Sequence, residues 1–286
     1  MPELPEVEVI KLGLQKKIIG LKIQKIQVLS AKSFIGNPNL AQGQKVLKVW
    51  RRAKILGLEL TGNITLLFHL KMSGQLIFDD GEKFIGGHPT EDMLGKMPTS
   101  HTRVIFSFVG NSHLYFNDQR KFGWVKLVRS SELVVGSGEK ILGKLGPEPL
   151  QKEFTWQILK HNLLRHKSMP VKVAIMDQTV LSGVGNIYAN EACFDAKLDP
   201  RTKVASLTDE QFKRLYLGIV KSLQDGIKYG GSTRVHFVDP EGHKGYFLDY
   251  AFVYWKDKHP CKVCGTEIKK ISLGGRGTYF CPSCQK

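Results

Sequence analysis

Four cysteines are the most explicit chemistry in the chain. Cys261-Lys-Val-Cys264 and Cys281-Pro-Ser-Cys284 stand sixteen residues apart. Each pair suits a tight knuckle presenting two thiolates, and two knuckles complete a tetrahedral zinc site. Four thiolates leave no open coordination position, so the spacing predicts one structural zinc and not a catalytic one. The alternative is two disulfides. The acidic start carries no basic flank followed by an apolar stretch, so we expect a cytoplasmic chain whose thiols stay reduced and favour metal. The fifth cysteine, Cys193, lies in an apolar helical setting and reads as a small buried residue.

The opening "MPELPEVE" raises a second question, although a Met-Pro start is ordinary and by itself assigns Pro2 no function. Glu3, Glu6 and Glu8 surround two prolines in a chain with 42 Lys and Arg against 26 Asp and Glu, a formal net charge of +16. That excess draws polyanions, nucleic acid first among them. Carboxylates serve such a surface poorly as contacts but well as proton carriers. Removal of Met1 would give Pro2 a free secondary amine, whose α-amino pKa of about 7.7–8 leaves a usable neutral fraction. A neutral secondary amine is a nucleophile toward an electrophilic carbon. Glu3 is tethered beside it, Glu6 falls one helical turn on and is read as orienting the terminus, and Glu8 is expected to be solvated. Downstream, Gly183-Val-Gly185-Asn186 offers a turn whose N–H groups converge on an anion. "LGGRGTYF" puts Arg276 at a glycine-rich hairpin tip suited to gripping a phosphate. "KMSG" and "RKFG" end loops in glycine, which favours exposure of Met72 and Phe122 over core packing.

These residues need elements to hold them. Val7, Ile10 and Leu14 recur at helical spacing and predict a helix from Val7 to Ile19. From Leu21 to Leu127, short β-rich runs alternate with turn-formers, the pattern of an antiparallel sandwich or barrel. Lys54 falls in the run "RRAKILGLEL" and is expected on a strand. Ile85 to Ser100 lacks a strand pattern and reads as a surface insertion. Arg129 to Leu150 reads as a connection with a weak helix, and the chain then turns helical through "EFTWQILKHNLL", "PVKVAIMDQTVL", "IYANEACFDA" and a long helix after Thr208. Thr208 with Gln211 three residues on is a capping box. No run has the length of a membrane span.

The motifs, taken in order, resemble the bacterial formamidopyrimidine-DNA glycosylases, repair enzymes for oxidised purines. The matching segments are "PELPEVE" (Pro2–Glu8), "RRAK" (Arg51–Lys54), "HLKMSG" (His69–Gly74), "DQRKFG" (Asp118–Gly123), "LGPEPL" (Leu145–Leu150), "SGVGNIYANEA" (Ser182–Ala192), "GGST" (Gly230–Thr233) and the finger with "GRGTYFCPSCQ". The resemblance implies an α+β, two-domain fold. An N-terminal β-sandwich with a leading helix would span 1–128 and a linker 129–150. A helix–two-turn–helix domain with a lesion-capping loop would span 151–250, and a zinc finger 251–286. Double-stranded DNA with oxidised bases or abasic sites would lie in the cleft between the domains of a monomer.

The resemblance also implies roles. Pro2 is the nucleophile toward C1′ of the damaged nucleotide, Glu3 the general acid/base, Lys54 a proton donor in elimination, and Arg276 the residue of the second elimination step and a phosphate clamp. Met72, Arg120 and Phe122 fill the void left by a flipped base. His69, His101, Lys167 and Asn186 match positions that touch DNA. Gly230–Gly245, with four glycines, is the loop over the flipped base. It departs from the family: an aliphatic residue and then a basic one usually follow "GGST", whereas here Arg234 precedes Val235. Two other readings stand beside this one. Endonuclease VIII-like enzymes excise oxidised pyrimidines but typically begin Pro-Glu-Gly-Pro, where this chain has Leu4. A non-catalytic DNA-binding zinc protein would not need Pro2 or Glu3.

Overall fold

A computed structural model describes residues 1–87, 95–133, 142–232 and 246–286. The chain divides into two compact units, Met1–Gly143 with Gly230–Gly245, and Lys144–Tyr229 with Tyr246–Lys286.

The first unit begins with helix α1 (Leu4–Ile18), which starts three residues earlier than its apolar periodicity suggests because Pro5 suits the first turn. Among the described residues ten strands follow: β1 (Ile23–Val28), β2 (Phe34–Ile35), β3 (Val46–Arg52), β4 (Ile55–Leu60), β5 (Ile64–His69), β6 (Gly74–Asp79), β7 (Lys83–Gly87), β8 (Thr102–Phe108), β9 (His113–Asp118) and β10 (Trp124–Arg129). They form two five-stranded sheets, ordered β1-β8-β9-β6-β7 and β2-β10-β5-β4-β3. Neighbours are antiparallel except for the parallel β2–β10 pair. Phe106, Phe108, Leu114 and Phe116 of one sheet share a core with Leu56, Leu58, Leu66 and Phe68 of the other, and Val7, Ile10, Leu14 and Ile18 of α1 complete it. This is the sandwich with a leading helix.

Two expectations need correction here. Strand β7 occupies the start of the expected insertion, and Met97 from its far end packs with Ile77, Ile85, Ile105 and Tyr115 in a second, smaller core. The described parts of that stretch, 85–87 and 95–100, thus contribute a strand end and a core residue, and 88–94 lie outside the described residues. Lys54 is not on a strand: Ala53 and Lys54 form the two-residue turn between β3 and β4, with Ala53 at φ +56°.

The second unit holds α2 (Trp156–Leu163), α3 (Val171–Ala174), α4 (Asn186–Asp195), α5 (Asp209–Lys228), α6 (Phe247–Tyr250) and the hairpin β11 (Lys269–Leu273)–β12 (Arg276–Phe280). Thr208 and Gln211 form the expected capping box at the start of α5. The run "PVKVAIMDQTVL" is helical only over Val171–Ala174. Beyond it, Gln178 staples a turn: its amide donates to the carbonyls of Met176 and Val184, both at 2.8 Å, and its oxygen accepts from Gly183 N–H at 2.9 Å. Of the stretch between "VGSGEK" and "LGPEPL", where a weak helix is expected, residues 142–144 form a turn and residue 141 lies outside the described residues. Among the described residues, no helix is long and apolar enough to cross a membrane.

Candidate active site and nucleic-acid interface

The N-terminus of α1 is built around Glu6. One of its carboxylate oxygens accepts from Glu3 N–H at 2.8 Å and the other from Ser232 N–H at 2.8 Å. Gly231, at φ +77°, passes so close that a Cβ there would meet the same carboxylate at 3.0 Å. Pro2, Glu3 and Glu6 are all buried, behind an exposed Met1. The rest of the loop expected to cover the lesion, 233–245 with Arg234 and Val235, lies outside the described residues.

Glu8 is not solvated, as the sequence reading had it. It pairs with Lys11 and, at 2.7 Å, with Arg51 of β3. Burial alone would raise its carboxyl pKa, but the bonds from Lys11 and Arg51 outweigh that and hold it below the usual value. Arg51 also donates to Ala53 C=O at 3.1 Å, so one ion pair ties α1 to the hairpin that carries Lys54. Lys54 is buried, 6% exposed.

Next to that hairpin, His69 ends β5, opposite Ile55 on one side and Trp124 on the other. Its Nδ1 accepts from Lys71 N–H at 3.1 Å. Burial, then the charges of Lys71 and Lys54, push the imidazole pKa down to about 3. A neutral ring that accepts at Nδ1 carries its proton on Nε2, which makes His69 an uncharged donor at cellular pH.

The loops bearing Met72 and Arg120–Phe122 are the crossings from β5 to β6 and from β9 to β10, and both lie at this end of the sandwich. Each turns through a lysine in the left-handed region, Lys71 at φ +51° and Lys121 at φ +56°. Asp118, fully buried, binds them together. It accepts from Ser73 Oγ–H at 2.5 Å, from Arg120 N–H at 3.2 Å and from Gly123 N–H at 2.6 Å. Ser73 Oγ accepts in turn from Arg120 N–H at 3.0 Å. The backbone of Asp118 donates to His101 C=O at 2.9 Å and accepts from Arg103 Nε at 2.8 Å. Thus Met72, His101, Arg120 and Phe122 hang from one hydrogen-bonded centre. Phe122 is 57% exposed, and the Arg120 guanidinium stacks 5.1 Å from its ring centre. An exposed aromatic beside a cation, on a loop whose backbone is bonded on either side of it, suits insertion between bases.

The second unit carries its own cluster. Gly185 is the N-cap of α4 and Asn186 its first residue. Asn186 accepts at Oδ1 from Lys172 Nζ at 2.5 Å and donates from Nδ2 to Gly277 C=O at 3.1 Å. The hairpin tip is Gly274-Gly275, at φ +58° and +70°, a conformation that suits a two-residue hairpin turn. Arg276 is therefore the first, exposed residue of β12 and not the tip itself. Lys167 is exposed, and its carbonyl accepts from Ala205 N–H at 3.0 Å.

The four cysteine sulfurs lie within 4.8 Å of one another, with Cys264–Cys281 at 3.4 Å and Cys261–Cys284 at 3.9 Å. A tetrahedron with Zn–S bonds of about 2.3 Å has S–S edges of about 3.8 Å, so the donor set fits zinc. The finger rests on Phe194 of α4 through Val253, Ile268 and Tyr279. Cys193 is fully buried, its thiol pKa pushed up to about 12 by burial, as its apolar setting suggested.

Sequence reading missed three supporting residues. Lys172 is fully buried yet charged in type, and its isolation within the apolar "PVKVAIM" was the available signal. Asp118 opens the segment "DQRKFG", and no periodicity or spacing marks it as buried. Glu191, on α4, accepts from the N–H groups of Phe252, Val253 and Tyr254 at 2.8, 3.0 and 2.8 Å.

Family models match along the chain. The formamidopyrimidine-DNA glycosylase N-terminal domain covers residues 1–125, the H2TH domain of the same glycosylases 145–237, and the zinc finger found in FPG and IleRS 258–286. A formamidopyrimidine-DNA glycosylase of Pelotomaculum thermopropionicum is 39% identical over 292 residues, covering 100% of this chain and 99% of that protein. The crystal structure of MutM (Fpg) from Thermus thermophilus superposes with a TM-score of 0.82 at 35% identity, over 99% of this chain and 98% of that one. A mutant Lactococcus lactis Fpg in complex with DNA containing Fapy-dG gives a TM-score of 0.84 at 29% identity, over 100% of both chains. With its sandwich, its helical unit and its four-cysteine finger all matched, the chain belongs to the formamidopyrimidine-DNA glycosylase family.

Proposed function

We propose that this protein is a DNA glycosylase and abasic-site lyase of base excision repair, acting on duplex DNA that carries formamidopyrimidines or 8-oxoguanine. The observation that carries the reading is the start of α1, where a buried Pro2–Glu3 pair is held by Glu6. Once Met1 is removed, the Pro2 nitrogen attacks C1′, and the C1′–N bond to the damaged base breaks with its electron pair leaving on the base. Glu3 supplies the proton that opens the sugar ring. The resulting iminium acidifies C2′: loss of that proton breaks the C3′–O bond, and a second elimination breaks C5′–O. Lys54 and Arg276 serve these proton transfers and the flanking phosphates. Met72, Arg120 and Phe122 occupy the space left by the flipped base. His69, His101, Lys167 and Asn186 hold the backbone, and zinc on Cys261, Cys264, Cys281 and Cys284 holds the finger. The enzyme works as a monomer in the bacterial cytoplasm.

The pyrimidine-specific alternative is disfavoured by Leu4, which is fully buried in the core where that branch has glycine. The test is borohydride trapping on duplexes bearing 8-oxoguanine, formamidopyrimidine or thymine glycol. A covalent adduct with the purine lesions, mapped to Pro2 in a chain lacking Met1, is expected. No adduct with any lesion would overturn the assignment, and an adduct with thymine glycol alone would move it to the sister branch.

A further inference from the structure

Strand β12 has one edge paired with β11, and no strand among the described residues pairs with the other. Gly277 and Tyr279 pair with Ser272 and Lys270 across the hairpin. A residue of an antiparallel strand points its N–H and C=O to the same edge, and here Gly277 C=O and Tyr279 N–H point away from β11 to helix α4. Asn186 Nδ2 donates to Gly277 C=O at 3.1 Å, and Asn190 Oδ1 accepts from Tyr279 N–H at 2.8 Å. The two asparagines stand one helical turn apart, about 6.0 Å along α4. Gly277 C=O and Tyr279 N–H face the same way because they lie two residues apart on one strand, so the helix supplies a donor and an acceptor to that edge in place of a third strand. Asn190 is fully buried, and its Nδ2 donates back to Asn186 C=O at 2.5 Å, which fixes the orientation of its amide. Arg276 precedes Gly277 directly, so the register of β12 on α4 decides where its guanidinium is presented.

We infer that Asn190 is a positioning residue for Arg276: it locks the register of the finger hairpin against the helix whose first residue is Asn186. The inference rests on the role proposed above for Arg276. It gives Asn190, which touches no substrate, a selective effect. Replacing it should disturb the step that depends on Arg276 and spare the chemistry at the N-terminus.

The test uses the full-length zinc-loaded protein and its Asn190→Ala and Arg276→Ala variants on duplex DNA with an abasic site. Zinc content and the hydrogen exchange of the Tyr279 amide are measured alongside. For Asn190→Ala we expect one zinc per chain, at least tenfold faster exchange at Tyr279 and a δ:β product ratio lowered about tenfold. The rate of borohydride trapping should stay within twofold. Zinc loss, or an equal fall in trapping and in δ-elimination, would make Asn190 merely structural and overturn the proposal. So would an unchanged Tyr279 amide, or an unchanged ratio where Arg276→Ala lowers it. If Arg276→Ala itself leaves the ratio unmoved, the role of Arg276 is what fails, and Tyr279 exchange alone decides the register claim.

Discussion

Replacing Asp118 by alanine should uncouple lesion recognition from the nucleophile. In the structure its carboxylate takes Ser73 Oγ–H at 2.5 Å, Gly123 N–H at 2.6 Å and Arg120 N–H at 3.2 Å. Alanine leaves Arg120 N–H with Ser73 Oγ but strands the other two donors in a site where the parent residue is 0% exposed. A buried donor without a partner costs about 1–3 kcal/mol, so two cost roughly 2–6 kcal/mol. A domain with about 5–15 kcal/mol of stability survives the lower part of that range. The cheapest relief is to open the loop around Arg120 and Phe122 to water. Reforming it on DNA then costs about 2–3 kcal/mol, or roughly 30- to 150-fold in kcat/KM at about 1.4 kcal/mol per decade. Asp118→Asn, which retains an acceptor, should lose about tenfold or less on the same scale. The assay compares kcat/KM on a lesion-bearing duplex with borohydride trapping on a single-stranded abasic oligonucleotide, which has no orphan base and needs no wedge. Trapping should fall less than threefold. An equal fall on both substrates, or no change on either in a folded variant, would refute the idea that Asp118 acts through the wedge.

The stability of the first unit should depend on His69. Its folded pKa of about 3 lies below the ordinary 6.5, so the unfolded chain binds the extra proton first. The contribution is complete above pH 6.5 and is lost as pH falls toward 3, by at most about 1.4 kcal/mol per pH unit. His69→Gln should flatten the pH dependence of the unfolding free energy, read from urea titrations at several pH values across that window, and an unchanged pH dependence would count against a neutral folded His69. Leu4→Gly should cost about 3–5 kcal/mol by deleting a fully buried side chain at the head of α1, read as a lowered Tm. A shift under 2 °C would mean that the site collapses around the gap. Cys281→Ser should abolish zinc binding and the protease resistance of the finger while the circular dichroism of the sheets persists. Retention of one zinc per chain would reject the four-thiolate site.

Local spacing determined what a short stretch of chain decides for itself. The zinc knuckles are legible because two thiolates three residues apart need only one turn to converge. The capping box at Thr208 and the helical face of α1 are local in the same way, and each motif loop announces itself by its glycine. Tertiary structure decided the rest, because the deciding partners are distant in sequence and leave no periodic trace. Glu8 reads as solvated until Arg51, 43 residues on, is brought against it. Glu6 closes a bond across 226 residues to Ser232, and Ser73 meets Asp118 across 45. Strand β7 was invisible because its "KFIGG" has the small residues that α1 requires: a Cβ on Gly86 would meet Ile10 at 2.4 Å. "PVKVAIMDQTVL" has helical composition, yet the chain spends it on a turn held by Gln178 that delivers Gly183 to Asn186 to the head of α4. The sequence by itself marked the four cysteines as a zinc site, and through its resemblance to the family it pointed to Pro2 and Glu3. Only the folded chain set Glu6, Asp118 and Asn190 behind the residues proposed to use that chemistry, since a positioning role exists only once two distant segments share one hydrogen bond.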